Sequence, residues 1–169
     1  MASILNVDKI RATGSTTDGL TVDSSGRVAM PNVPAFNAYL NSSLNSGASS
    51  TKIVFDATQL NQGSHYSTST GLFTAPIAGL YFFSASLALG PGITESRYFV
   101  IRLYVNSTNV LTGRGNAINT TGSTYDQVNV SGVVEMSAND TAEIQGQSEN
   151  ATAFYYADRA CYFTGHLVG

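Results

Sequence analysis

Charge is what this sequence has least of. Asp, Glu, Lys and Arg together make up 11% of its 169 residues, against roughly 25% in an ordinary soluble domain. The eight Lys and Arg are scattered and the net charge is -3, so no basic stripe can track a phosphate backbone and no nucleic-acid partner is expected. Tryptophan is missing, and the single Cys161 rules out an internal disulfide. Its neighbours Ala160, Tyr162 and Phe163 have the character of a buried strand, which makes the thiol an inert core group. No run of 18 apolar residues is present to form a membrane helix. The N-terminal stretch has no basic region followed by an apolar core, so no secretory signal is expected.

The usual catalytic patterns are also missing. There is no Gly-x-Ser-x-Gly elbow, no His-Glu-x-x-His, no cysteine pair and no phosphate loop. Of the two histidines, His65 lies in the turn-like "GSHYS", and His166 near the C-terminal end has a structural or interfacial character. Glu95, Glu135, Glu143, Glu149 and the seven aspartates are dispersed, so no glycosidase pair can be named. No catalytic residue and no enzyme activity are expected. Six Asn-x-Ser/Thr triplets, at Asn41, Asn106, Asn119, Asn129, Asn139 and Asn150, are no more than such a composition produces by chance.

Ser, Thr and Asn fill the space that charge leaves, at roughly 30% of the chain. Short runs of alternating or β-branched residues recur between Gly/Asn/Ser/Thr clusters, and helical periodicity is nearly absent. This is the pattern of an all-β sandwich or barrel. Strands are predicted over Ala35–Leu40, Lys52–Phe55, Gly71–Thr74, Gly79–Leu89, Tyr98–Val105, Tyr125–Met136, Thr141–Gln147 and Ala160–Val168. Loops are predicted at "GPGITES" and "TGRGNAINTTGST". So many strands after residue 34 fit a two-sheet jelly roll.

Residues 1–33 differ in kind. "SILNVDKIRA" and "GLTVDSSGRVAMP" are two β-like pieces joined by the polar "TGSTTD". In the second, Leu20 and Val22 face Val28 and Met30 across a "DSSG" turn, and Pro31 and Pro34 stiffen the exit. A piece this small buries no core of its own. It is expected to be a short extended arm that anchors to a partner or to sister copies through Ile4, Leu5, Val7, Ile10, Leu20, Val22, Val28 and Met30.

The stretch "TGLFTAPIAGLYFFSASLAL", Thr70 to Leu89, carries two glycines, a proline and four aromatics without a charge. Gly71 and Gly79 each precede an apolar strand, where a turn or a close backbone approach is needed. From Gly79 the strand alternates Tyr81, Phe83, Ala85, Leu87 and Leu89 on one face with Phe82, Ser84, Ser86 and Ala88 on the other. Phe82 is either a rim aromatic or an intersubunit contact.

"TGLFTAPIAGLYFF" resembles the T-G-x-F-x-x-P-x-x-G-x-Y-x-F motif of the C1q-like globular domain, which is related to tumour necrosis factor. Supporting pieces occur in order. "PAFNAYL" resembles the opening A-F-x-A strand, and "KIVFDATQLNQGSHYSTST" an F-D-x-x-x-x-N-x-G-x-x-Y segment at Phe55, Asn61, Gly63 and Tyr66. "IRLYVNST" resembles a strand and turn with Ser107 in place of the usual glycine. "VSGVVEMSANDTAEIQ" resembles another family stretch with Asn139 in place of glycine before Asp140, and "CYFTGHLVG" the closing F-x-G-x-L strand. The resemblance covers residues 34–169 and implies a ten-stranded jelly roll assembled as a homotrimer. Its motif and core residues here are Phe36, Phe55, Asn61, Tyr66, Gly71, Phe73, Pro76, Gly79, Tyr81, Phe83, Phe163 and Gly165. Some relatives bind calcium. Asp140 and Asp158 are the candidates here, each more simply a solvated loop carboxylate, and the metal ligands stay unknown.

"ILNVDKIRATGSTTDGLTVDSSGRVAMPNVPAF" resembles leader segments of bacteriophage tail-fibre and other virion proteins. No Gly-X-Y repeat, the usual stalk of secreted C1q-like proteins, is present. These resemblances imply a non-enzymatic virion surface protein, in the first place a trimeric capsid decoration or cement protein whose arm docks on the major capsid protein. The alternative is a tail-fibre tip that presents Gly90–Ser96 and Thr112–Thr124 to a host glycan. A secreted cytokine-like ligand is a third reading, disfavoured without a signal peptide. Only Tyr125 supplies an aromatic near those loops, and no shaft precedes the head, which favours the capsid role.

Overall fold

The computed structural model describes residues 7–46, 49–89, 98–115, 126–148, 153–155, 157 and 159–169. Among the described residues every regular element is a β-strand. The chain divides into two compact units, Met1–Val33 and Pro34–Gly169.

The first unit is a three-stranded antiparallel sheet of β1 (Lys9–Ile10), β2 (Leu20–Val22) and β3 (Val28–Ala29), with β2 in the middle. The β2–β3 hairpin follows from Asp23-Ser24-Ser25-Gly26. Asp23 Oδ1 accepts the N–H of Ser25 at 2.8 Å and of Arg27 at 2.9 Å, and the Gly26 N–H donates to the Asp23 carbonyl at 2.9 Å. Gly26 closes the loop at φ 76°, the left-handed position that a type I turn followed by a bulge requires. The described part of the segment is therefore folded rather than extended, contrary to the expectation of an extended arm. The reason is a polar clasp: Lys9 Nζ lies 2.6 Å from Asp18 Oδ2, and Arg11 Nε lies 3.1 Å from Oδ1 without the alignment of a hydrogen bond. Asn32 Nδ2 donates to the Asp18 carbonyl at 2.8 Å, and the Gly19 N–H to Ile10 O at 2.9 Å, which brings β1 against β2.

The second unit is a sandwich of two antiparallel sheets. Its strands are β4 (Ala35–Tyr39), β5 (Leu44–Ser46), β6 (Thr51–Ile53), β7 (Ala57–Gln62), β8 (Tyr66–Ser67) and β9 (Leu72–Thr74). After these come β10 (Gly79–Leu89), β11 (Phe99–Val105), β12 (Thr108–Gly115), β13 (Asp126–Met136), β14 (Thr141–Ser148), β15 (Ala153–Tyr155) and β16 (Tyr162–Leu167). A seven-stranded sheet runs β5-β15-β10-β16-β4-β7, with β13 on the other flank of β10; a six-stranded sheet runs β12-β11-β14-β9-β8, with β6 also on β14. Strands β5, β7, β8, β12 and β15 were not apparent from the sequence pattern. The expected loop Thr112–Thr124 begins inside β12, and the loop Gly90–Ser96 and Tyr125 lie outside the described residues.

The interior is aromatic. Phe36 on β4 stacks on Tyr66 at 5.0 Å and on Phe73 at 5.0 Å, and meets Phe163 edge-on at 4.8 Å. Phe73 takes the edges of Tyr81 and Phe83, and Phe83 lies 5.7 Å from Phe163. These rings are all buried, and each favourable pair contributes about 0.5–1.5 kcal/mol beyond its buried area. Gly165 makes the packing possible. A Cβ there would stand 2.5 Å from Phe83 and 2.9 Å from Phe36. Phe55 is fully buried although no strand holds it. Asn61 clamps Tyr66 from both sides, donating to its carbonyl at 2.8 Å and accepting its N–H at 3.1 Å. Gly71 turns into β9 at φ 71°, with Ile53 O 3.1 Å from where a Cβ would be. Pro76 is half-buried after β9, and a Cβ on Gly79 would meet Gly169 O at 2.8 Å.

On β10 the inward set Tyr81, Phe83, Ala85 and Leu87 is buried, and Ser86 and Ala88 on the opposite face are buried too. That second face is covered at this end. Gln127 Nε2 reaches the Ala160 carbonyl at 3.1 Å, and Cys161 Sγ accepts the Ala88 N–H at 3.0 Å.

The Tyr66 hydroxyl donates to the Phe55 carbonyl at 3.2 Å, and burial pushes the phenol above its ordinary value of 10.0. A raised pKa penalises the phenolate in the fold, so this contribution is complete below pH 10 and is lost as pH climbs beyond it. Tyr66→Phe is expected to cost about 1 kcal/mol at neutral pH. It should also remove a destabilisation of about 1.4 kcal/mol per pH unit just above 10. Urea melts of both proteins at neutral pH and near pH 11 measure the two effects, and an equal alkaline loss in both would refute the second.

Candidate assembly and docking faces

Strand alternation sets the outer face of the seven-stranded sheet. Opposed residues in an antiparallel ladder share a face, so the pairs Phe82↔Val133 and Phe82↔His166, extended by His166↔Ala35, form one row across β13, β10, β16 and β4. The next rows are Ser131–Ser84–Thr164–Asn37–Leu60 and Asn129–Ser86–Tyr162–Tyr39. At the end where β10 begins, the Val168 N–H donates to Leu80 O and the Leu80 N–H to Gly169 O, each at 2.7 Å, which carries the ladder past β16. Leu80 is 45% exposed, Val133 54% and Val168 57%. Phe82 stands among them, half-buried, with its ring 5.6 Å from that of His166. The result is an apolar cluster on an otherwise hydroxyl-rich face, with Leu60 exposed further along. Burying each such side chain is worth roughly 1.5–3 kcal/mol.

The small sheet has a face of the same kind. The pairs Ile10↔Leu20 and Val22↔Val28 put four of the arm residues on one side, and Lys9, Thr21 and Ala29 on the other. Ile10 and Val28 are more than half exposed, Leu20 and Val22 are half-buried, and Val7 and Met30 are exposed outside the strands. Ile4 and Leu5 lie outside the described residues. The carboxyl groups nearby are structural. The Lys9 ammonium holds Asp18 below its ordinary range, and the Arg27 backbone N–H and guanidinium do the same for Asp23.

Among the described residues the remaining sequence candidates do not converge. Asp140 uses Oδ1 to accept from Asn106 Nδ2 and Oδ2 to accept from the Ser137 N–H, each at 2.7 Å. Asn106 Oδ1 accepts the Thr141 N–H at 2.9 Å, and the turn residues Asn106, Ser107 and Asn139 all have positive φ. Asp140 thus ties two turns together. Asp158, Glu95 and Glu149 lie outside the described residues. Among the described residues no three His, Cys, Asp or Glu come together in a way that could hold a metal ion. His65 is half-buried in its turn and His166 is exposed on the apolar face. Cys161 is buried. Arg159 caps the ring of Tyr39 at 5.6 Å, a contact with no sequence signal because the two lie far apart in the chain.

Two antiparallel sheets closed over one aromatic core, with no helix among the described residues, define a jelly roll of the C1q and tumour necrosis factor type. The sequence model of the C1q domain matches residues 35–168, and the chain belongs to the C1q domain family. Among solved structures it is similar to the globular domain of zebrafish complement 1qA, with TM-score 0.63 and 17% identity over 80% of this chain and 98% of that one. It is also similar to the Eiger tumour necrosis factor of S. frugiperda, with TM-score 0.62 and 8% identity over 82% and 94% of the two chains. Murine APRIL gives TM-score 0.58 and 11% identity over 80% and 98%. Domains of this family usually form homotrimers and are generally non-enzymatic.

Hydrogen bonds from Asn106, then from the Ser137 backbone, hold the Asp140 carboxyl below its ordinary value of 3.8. Its contribution is therefore present above that value and is lost as pH falls through the lower folded-state value. Asp140→Ala is expected to lower the melting temperature at neutral pH and to flatten the acid limb of a melting-temperature profile. A parallel loss in both proteins from about pH 5 down to about pH 2 would refute this role.

Proposed function

We propose that this chain is a non-enzymatic structural protein of a bacteriophage particle: a homotrimer of C1q-like heads that decorates and cements the capsid, docked through its N-terminal unit. The observation that carries the reading is the small sheet of residues 7–33, whose apolar side chains share one face that so few strands cannot cover. It precedes a head with its own complete core, and its sequence resembles virion leader segments. The exposed cluster of Leu80, Phe82, Val133 and Val168 supports self-association of the heads. A trimer repeats each docking contact three times, so weak single contacts add through effective concentration. Because such a protein binds only the assembled shell, it stabilises the shell by mass action.

Immunogold electron microscopy of particles tests the placement. Labels spread over the head are expected, and labels confined to the tail would favour the receptor-binding tip instead. Residues 34–169 alone are expected to stay a soluble trimer and no longer bind particles; binding by that fragment would remove the docking role of the small sheet. Val133→Glu in the full chain puts a charge into the apolar cluster and is expected to shift sedimentation from trimer to monomer with the β-sheet circular dichroism unchanged. An unaltered trimer would exclude this face from the interface.

A further inference from the structure

We propose that the outer face of the six-stranded sheet, on the opposite side of the sandwich from the apolar cluster, binds an acidic polysaccharide through Arg102 and Arg114. The register pairs Arg102 on β11 with Thr112 on β12, and Val100 with Arg114. The alternate residues Ile101 and Leu103 belong to the core, so both arginines stand on the outer face as diagonal neighbours. Diagonal neighbours have Cβ atoms about 7–8 Å apart at most, which lets two guanidinium groups close on one anionic group. Arg102 is half-buried and Nη1 donates to Ser50 Oγ at 3.3 Å, so its position is set, while Arg114 is exposed.

Among the described residues neither guanidinium has a carboxylate to neutralise it. Glu143 is the acidic residue on the described strands of this face, and it is already engaged: Gln145 Nε2 donates to Oε1 at 2.7 Å, and Lys52 Nζ lies 3.3 Å from Oε2. Asp140, past the Tyr104 end, is tied to Asn106 and Ser137. In a chain with 11% charged residues and net charge -3, two uncompensated guanidinium groups side by side repel each other, and a bound anion relieves that repulsion.

The surroundings decide the kind of anion. Gln145 lies directly across from Arg102, Gln147 across from Val100, and Tyr104 two residues along from Arg102 on the same face, half-buried. Amides and an aromatic ring beside a pair of arginines suit a chain of hydroxyl-bearing rings with sparse sulfate or carboxylate groups. Nucleic acid, with a charge at every phosphate, gains affinity from each cation it meets, and two are too few. This inference does not rest on where the protein sits in a particle.

The test uses the full chain and immobilised dextran sulfate, with neutral dextran and a single-stranded oligonucleotide as comparison surfaces, at about 50 mM salt. Retention on dextran sulfate is expected, with none on dextran and at least about tenfold weaker binding to the oligonucleotide. Arg114→Gln and Arg102→Gln are each expected to weaken retention about tenfold, the loss of one charge-assisted contact. Arg114 is exposed, so its substitution should leave the melting temperature unchanged and separates binding from folding. No retention of the parent chain, equal binding to the oligonucleotide, or undiminished binding by Arg114→Gln would each overturn the proposal.

Discussion

The packing of aromatic rings around Phe36 is the constraint on which the rest depends. Phe36 touches rings carried by the β8, β9 and β16 segments, and so ties the two sheets together. With little charge to organise the surface and no disulfide, the relative position of the sheets follows from how these rings fit. Backbone room is part of that fit. Gly165 is a glycine because Phe83 and Phe36 occupy the space a side chain would need. The same packing holds β10 and β16 side by side, and it is this pair that sets Phe82 beside His166 on the outer face.

What the sequence made legible was whatever had a local cause. The 11-residue β10 could be delimited from its glycine, its alternation and its lack of charge, and the β2–β3 turn from Asp-Ser-Ser-Gly. What it hid had non-local causes. "TGRG" looked like a loop, yet Gly113 and Gly115 are strand residues. A Cβ on Gly113 would run into the Asn129 carbonyl on β13, and one on Gly115 would meet the Phe99 ring at 2.8 Å. These glycines answer a close approach rather than a turn. Strand β7, "ATQLNQ", has too many amides to stand out, and it is a strand because β4 supplies a ladder for it. The pairing of β1 rests on Asp18 holding two cations from beyond the turn, which no periodicity reveals.

The candidate faces were legible to different degrees. The apolar residues of the small sheet could be named from alternation, but their gathering on one side needed the registers Ile10↔Leu20 and Val22↔Val28. Leu80, Val133 and Val168 are unremarkable in the sequence and become a cluster only when three strands meet. Arg102 and Arg114 were two scattered cations until β11 and β12 paired. The sandwich therefore separates its surfaces by chemistry, apolar on one sheet and cationic with amides on the other.

One further consequence comes from the buried thiol. Cys161 Sγ accepts the Ala88 N–H from inside the seven-stranded sheet, and the chain has no second cysteine. An oxidant meets no accessible thiol among the described residues, and Cys161 is too deeply buried to bridge one copy to another by a disulfide. Association of copies through the exposed faces is then not locked by disulfides and responds to concentration.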